Sequence, residues 1–136
     1  MLRARGIEGS VLAGVFAILP EQLPAAAPRA RFKDFSLLPA ALRDIALVVD
    51  AGTPAGDVRA QLARIAAAKA GAAFAVESVD VFDVYEGTGL PEGKKSLAFS
   101  LVFRCPARTL TDEEVNAVLQ AIKDEIESTT GFQLRK

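Results

Sequence analysis

The chain has 136 residues, 51% apolar and 24% charged, a composition typical of a globular domain that buries a core without disulfides. Its 16 basic and 17 acidic residues give a net charge of −1, so no overall field attracts nucleic acid, and any such contact must be local. Histidine is absent, which removes the commonest zinc ligand and acid–base group, and the single Cys105 is expected to be a reduced thiol.

The N-terminal part, residues 1–34, is rich in alanine, proline and other apolar residues. Val11 to Leu19 is predicted to form a strand that ends at Pro20, and the prolines of residues 24–28 predict a linker. The chain starts without the long apolar stretch of a secretory signal, and no apolar run is long enough to span a bilayer. We therefore expect a cytoplasmic protein.

Residues 35–136 have the sequence patterns expected of a complete small domain. The β-branched run Asp44–Asp50 predicts a buried first strand. Thr53 is the expected N-cap of the first helix, with Pro54 at its first position. Apolar residues then recur at helical spacing to about residue 69, and Gly71 ends the helix.

Two strands follow, Ala75–Tyr85 and Lys95–Arg104, joined by the glycine-rich loop 86–93. The second strand has the clearest alternation in the chain, with small residues between four large apolar residues: Leu97, Phe99, Leu101 and Phe103. This alternation predicts one buried face and one open face.

Apolar residues change parity along the strand 75–85, from Val79 and Val81 to Phe82 and Val84. A single register cannot bury all four, so we predict a β-bulge near residues 81–82. Beyond the bulge we expect Phe82 and Val84 to face the core. The residues expected to share the open face there are Asp83, Tyr85 and Ser96.

A capping box predicts the start of the second helix: Thr111 is followed three residues later by Glu114. Gly131 is expected to end this helix, and residues 132–135 to form a short last strand. The predicted order βαββαβ indicates an α+β, ferredoxin-like fold, an antiparallel sheet with both helices on one face.

Tyr85, the only tyrosine, lies at a strand end beside the glycine-rich loop, and Lys94 and Lys95 open the next strand. An aromatic ring, a flexible loop and paired cations are typical of a site that stacks an unpaired nucleotide and holds its phosphates. By pattern alone, a half-packed strand-end tyrosine is the commoner arrangement, and solvated lysines are as good an interpretation as phosphate contacts.

Four segments identify a family by their order and spacing: 36–49, 82–87, 93–99 and 108–115. In these segments, residues 35–136 resemble the ferredoxin-fold anticodon-binding domain at the C-terminus of the bacterial phenylalanyl-tRNA synthetase β subunit. The resemblance implies that the chain is a piece of this subunit, with residues 1–34 a strand and linker left from the preceding catalytic-like domain.

The resemblance also implies that this chain is not an enzyme by itself. The parent enzyme is an aminoacyl-tRNA synthetase, a ligase of protein biosynthesis that joins phenylalanine to its tRNA with ATP and magnesium. Its active site lies outside this chain, for which no cofactor is expected. The implied partners are the anticodon stem-loop of phenylalanine tRNA, the α subunit and the rest of the β subunit in an (αβ)2 assembly.

The resemblance assigns residues as well. It implies that Tyr85 stacks on the first anticodon base, while Asp83 and Ser96 lie beside it and hydrogen-bond the base edge. Many family members have two arginines before the aspartate that matches Asp44, but this chain has only Arg43 to make a backbone contact. Together with Lys94 and Lys95, these are the expected RNA-binding residues; no catalytic or metal-binding residue is expected.

Two other functions fit the same fold. An acylphosphatase-like hydrolase would need an anion-binding arginine in the loop after the first strand, and residues 50–57 contain none. A small-ligand or regulatory module could pair through its open sheet face, whose small residues Ala98 and Ser100 permit it. Because the fold serves many functions, the fold by itself decides between none of them.

Overall fold

A computed structural model describes residues 14–22, 32, 36–72 and 74–135. The chain divides into two units, residues 1–34 and 35–136. In the first unit, residues 14–19 have no regular secondary structure, and Pro20–Gln22 form a single 3-10 turn. The predicted strand is therefore wrong for residues 14–19, and its residues 11–13, like the linker 24–28, lie outside the described residues. A strand needs a neighbour to pair its backbone, and no described strand pairs with this segment.

The second unit has the predicted ferredoxin-like architecture. Its elements are β1 (Ala41–Asp50), α1 (Ala55–Ala70), β2 (Ala75–Tyr85), β3 (Lys94–Arg104), α2 (Asp112–Thr129) and β4 (Gln133–Leu134). The strands form one sheet in the order β2-β3-β1-β4, and every neighbouring pair is antiparallel. The short β4 and the long β2 are thus the two edges of the sheet.

The strand β1 begins at Ala41, three residues before the predicted start at Asp44. It is longer because β3 supplies partners along its whole length, from Ala41 opposite Phe103 to Asp50 opposite Lys94. Pairing with a strong neighbour therefore extends a strand into residues with little strand preference of their own.

The helices begin and end close to the residues that the local sequence predicts, but the N-cap of α1 is a different residue. The N-cap of α1 is Pro54, which makes no side-chain cap, and not the predicted Thr53. The backbone N–H of Thr53 donates to the carbonyl of Asp50, 2.9 Å away, so this residue belongs to the turn that precedes the helix. Gly71 ends α1 with φ +60°, as predicted, and the capping box of Thr111 and Glu114 is complete.

The core lies between the sheet and the two helices. All four large residues of β3 are buried, which confirms their predicted alternation: Leu97, Phe99, Leu101 and Phe103. Phe74 meets Phe103 edge to face, with ring centres 5.8 Å apart. The opposite side of the sheet, which carries Ser96, Ala98, Ser100 and Val102 of β3, is called the open face below.

The predicted bulge in β2 is present. Val81 pairs with Phe99 but Asp83 pairs with the next residue, Ala98, so Phe82 is an extra residue in β2. The predicted burial of Phe82 is wrong: it is 59% exposed and borders a shallow depression with Ser100 on the open face. The bulge turns Phe82 to the same side as Asp83.

Val84 faces the side of the core, as predicted, but it is not buried there. Val84 pairs with Leu97 and so keeps the parity of the helix side, yet it is 53% exposed. Since β2 is an edge strand, no further strand covers its outer flank.

Candidate nucleic-acid interface

Tyr85 is fixed at the end of β2 by the loop that follows it. Its hydroxyl donates a hydrogen bond to the carbonyl of Thr88, at 2.9 Å. Gly87 lies against the ring: a Cβ atom at this position would be 3.0 Å from the Tyr85 hydroxyl oxygen. The short loop therefore holds the ring in one place, and the side chain is only partly exposed.

Arg135 contacts this ring from the other edge of the sheet. Its guanidinium carbon lies 4.7 Å from the centre of the Tyr85 ring, within the range of a cation–π interaction. The backbone N–H of Arg135 donates to the carbonyl of Ala46 on β1, which continues the pairing of β4. The two side chains thus approach each other from β2 and β4 across the two central strands.

The residues next to Tyr85 on the open face are buried. Ser96 pairs with Tyr85 on one side and with Val48 on the other, so these three side chains form one row on the open face. Ser96 is only 3% exposed and Val48 7%, whereas neighbouring Ala98 is half-buried. Arg135 follows β4 opposite Ala46, in the next row of the open face, and reaches the Tyr85 ring at the end of this row.

Asp83 lies on the open face as predicted, opposite Ala98 and two residues before Tyr85. Its side chain is exposed. The structure therefore brings together the three residues expected to recognise a base, Tyr85, Asp83 and Ser96, on one face and at one end of the sheet. Ser96 differs from the other two in lying beneath the surface.

The two lysines after the loop point to opposite sides of the sheet. Lys94 pairs with Asp50 on the open face, and its ammonium lies 2.7 Å from the Asp50 carboxylate. Lys95 pairs with Val49, which is a core residue of the helix side. Only Lys94 therefore shares a face with Tyr85, and an acid already neutralises it.

Arg43 lies away from this group. It pairs with Leu101 on the helix side, and its Nε donates to Asn116 at 2.8 Å while its guanidinium forms a 2.5 Å ion pair with Asp112. Leu101 lies five positions along β3 from Ser96, a distance of roughly 17 Å along the strand. Arg43 thus links β1 to the start of α2, and it does not lie at the end of the sheet that carries Tyr85.

Residues 36–135 match the sequence family of the ferredoxin-fold anticodon binding domain. The chain belongs to this family. The match covers the complete second unit apart from its first and last residues and confirms the resemblance found in the sequence.

Among similar proteins are phenylalanine–tRNA ligase β subunits of several bacteria. The chain is 46% identical to the subunit of Corynebacterium efficiens over 117 residues, which are 86% of the chain and 12% of that subunit. It is 44% identical to the subunit of Geobacillus kaustophilus over 86% of the chain and 14% of that subunit. For Haemophilus influenzae the identity is 40% over 96% of the chain and 15% of the subunit. The chain thus spans about an eighth of the length of these relatives.

Acidic residues dominate the middle of the open face in this anticodon-binding domain. Asp44, Asp80 and Asp83 are exposed on it, and Arg104 is paired with Glu77 at 2.7 Å. These carboxylates repel phosphate, so they disfavour an RNA backbone across the middle of the sheet. The cations on this face nearest Tyr85 are Arg135 and Lys94.

The contact between Arg135 and Tyr85 is the feature of the domain that sequence reasoning missed. The predicted last strand included Arg135, and nothing in its local sequence pointed to Tyr85; nor do Arg104 and Arg108 join it in one basic cluster. Arg104 is bound to Glu77 and to the carbonyl of Leu38, and Arg108 is paired with Glu114. Only the sheet order places Arg135 above the tyrosine ring.

Within the described ranges, no group of three or more carboxylate or cysteine side chains could hold a metal ion. Cys105 is buried just after β3 and is not in a disulfide. No helix in the described part of the chain is both long and apolar enough to cross a membrane.

Proposed function

We propose that residues 35–136 bind the anticodon of phenylalanine tRNA, with Tyr85 stacking on the first anticodon base. The observation that carries this proposal is the position of Tyr85 on the open face, held by its loop beside Asp83 and above Ser96. A ring fixed before binding loses little freedom when a base stacks on it. Membership of the anticodon-binding family supports the choice of ligand.

Asp83 fits the role of reading the base edge. A carboxylate is repelled by phosphate, so its place beside a stacking ring favours a contact with base N–H groups, which guanine offers on its Watson–Crick edge. Ser96 lies next to it, and its hydroxyl could add a hydrogen bond once it is uncovered. Lys94 is the proposed phosphate contact on this face, in competition with its partner Asp50.

The proposal extends to the whole protein. By similarity to ligase β subunits, the chain would be part of a phenylalanine–tRNA ligase that uses ATP and magnesium, and would work with the α subunit and the rest of the β subunit. The domain itself would supply no catalysis. Residues 1–34 would be the segment that joins it to the preceding domain.

The test is binding of the 136-residue chain to an anticodon stem-loop of phenylalanine tRNA and to a hairpin with the first anticodon base changed. Tyr85 is the only tyrosine and tryptophan is absent, so quenching of intrinsic fluorescence reports stacking directly on this ring. We expect affinity in the micromolar range or weaker and a preference for the correct hairpin. Equal affinity for both hairpins would contradict reading of that base.

Two variants sharpen this test. Base–aromatic stacking contributes about 1–3 kcal/mol, so Tyr85→Ala should weaken binding of a labelled hairpin by roughly five- to hundredfold. Phe82→Ala removes another exposed aromatic ring from the same strand and should leave binding unchanged. The alternative function, a small-ligand or regulatory module that pairs through its sheet, predicts self-association and no preference between the hairpins.

A further inference from the structure

We infer that Arg135 acts as a lid on the proposed base site. Its guanidinium occupies one face of the Tyr85 ring until a base displaces it. The inference rests on the proposed function, because it concerns how that site receives its ligand. It assigns Arg135 a role in the selectivity of the site that neither the fold nor the family match provides.

The geometry requires the guanidinium to move. At 4.7 Å from the ring centre, it fills the space that a base stacked on that face would take. The ring cannot simply rotate away, because its hydroxyl is bound to Thr88 and Gly87 lies against it. Stacking on this face therefore means exchange of one planar group for another.

Ser96 must be uncovered as well before it can act. This hydroxyl lies beside Tyr85 on the open face and is 3% exposed, so it cannot meet a base edge in the structure as it stands. Recognition by Ser96 therefore needs a rearrangement of the residues around Tyr85, in addition to the displacement of Arg135 from the ring.

The displaced guanidinium has another place to go. Asp44 and Glu127 line the same surface depression as Arg135, together with Lys123. Among the described residues Arg135 makes no ion pair, so only its contact with the ring holds the guanidinium. The side chain can therefore change partners without breaking a salt bridge.

The relative strengths favour displacement by a base. A cation–π contact at an exposed site changes an equilibrium by roughly two- to fivefold. Base–aromatic stacking changes one by roughly five- to hundredfold. A base that also forms hydrogen bonds with Asp83 and Ser96 would therefore displace Arg135 from the ring. A base without these hydrogen bonds would displace it less often.

The first experiment needs no RNA. Acrylamide quenching of Tyr85 fluorescence is compared in the 136-residue chain, in Arg135→Ala and in Arg108→Ala, which removes the same charge from a distant ion pair with Glu114. We expect Arg135→Ala to be quenched more efficiently than the other two. Equal quenching would overturn the lid, because the ring would then be no more accessible without Arg135.

The second experiment measures hairpin binding at about 1 M salt, where the Debye length of roughly 3 Å suppresses phosphate attraction. We expect Arg135→Ala to bind the anticodon stem-loop about two- to fivefold more tightly than the unmodified chain, and Arg108→Ala to bind equally. Equal or weaker binding by Arg135→Ala overturns the lid. If neither protein binds any hairpin, the proposed function fails, while the quenching comparison still decides whether Arg135 covers the ring.

Discussion

Gly87 packs so closely on Tyr85 that a methyl group on Gly87 would come within 3.0 Å of the tyrosine hydroxyl and 3.2 Å of the ring carbon that bears it. No positive φ requires glycine at this position, unlike at Gly89 and Gly93. The small size of Gly87, rather than its backbone freedom, is therefore what the site uses.

We predict that Gly87→Ala moves the Tyr85 ring and breaks its hydrogen bond to Thr88. A typical hydrogen bond contributes about 0.5–1.5 kcal/mol, so the free energy of unfolding should fall by about that amount, and hairpin binding should weaken. Urea unfolding and tyrosine fluorescence measure the two effects. The control is Gly52→Ala, where an added Cβ meets no atom within 4 Å. Identical behaviour of both variants would contradict the prediction.

Tyr85→Phe separates the ring from its hydroxyl. The variant keeps the stacking surface but loses the 2.9 Å hydrogen bond to Thr88. We expect stability to fall by about 0.5–1.5 kcal/mol and hairpin binding to stay well above that of Tyr85→Ala. Fluorescence anisotropy of a labelled hairpin measures binding in both variants. If Tyr85→Phe bound as poorly as Tyr85→Ala, the hydroxyl and not the ring would be the recognition group.

Asp50→Asn should strengthen hairpin binding at low salt. The substitution releases Lys94 from its 2.7 Å ion pair and leaves its charge available to a phosphate. One additional phosphate contact steepens the dependence of log affinity on log salt concentration by roughly 0.7 for a single strand. The fold should be unaffected, since exposed ion pairs contribute at most about 1 kcal/mol.

Asp57→Asn is the matched control for this prediction. It removes the same charge from the exposed first turn of α1, and the ion pair of Lys94 is with Asp50, so Asp57→Asn leaves that pair in place. Binding is measured for both variants across a salt titration. Equal salt slopes for Asp50→Asn and Asp57→Asn would show that Lys94 does not contact phosphate.

Glu114 should make stability depend on pH in acid. Its hydrogen bond to Arg108, together with that from the Thr111 backbone, lowers the pKa of the Glu114 carboxyl from 4.5 to about 2. Because the folded-state pKa is the lower one, the unfolded chain binds the proton first as pH falls. This contribution to stability is therefore full above about pH 5 and is lost progressively down to about pH 2.

Glu114→Gln removes this titration and checks the prediction. The difference in unfolding free energy between the unmodified chain and Glu114→Gln should be constant above pH 5 and shrink below it. Urea unfolding across this range measures the difference, and the Glu114 carboxyl resonance in an NMR titration gives the pKa itself. A difference that stays constant down to pH 2 would mean that the ion pair with Arg108 does not form in solution.

Phe103→Ala should come close to unfolding the domain. The Phe103 side chain is fully buried and packs edge to face on Phe74. Such a truncation costs about 3–5 kcal/mol, a large part of the 5–15 kcal/mol typical of a whole domain. Chemical denaturation measures the loss, with Phe82→Ala, an exposed phenylalanine, as the control. A similar small loss in both would place Phe103 outside the core.

Much of the fold could be read from short-range patterns. The alternation of β3 sets which of its residues are buried, because side chains of a strand point to alternate faces. The parity change between Val81 and Phe82 revealed the bulge for the same reason. The family resemblance then indicated which of the outward-facing residues, Tyr85, Asp83 and Ser96, belong to one site.

The errors in the prediction have a common cause. Three errors depend on which strand lies alongside: the strand expected at residues 14–19, the early start of β1 and the exposure of Phe82. The fourth, the N-cap role of Thr53, depends on a turn that this residue forms with Asp50. A period-two pattern does not say whether a partner is present, or where a bulge directs its extra residue.

The sequence by itself determined the order of elements in residues 35–136, the buried face of β3 and the position of Tyr85 beside its loop, since all three follow from local spacing. Only the tertiary structure decided that Arg135, fifty residues later, covers that ring, and that Ser96 beside the ring is buried. The reason is the order of strands in the sheet, in which β4 pairs with β1 and β2 pairs with β3. Two side chains from opposite edges thereby meet on the open face.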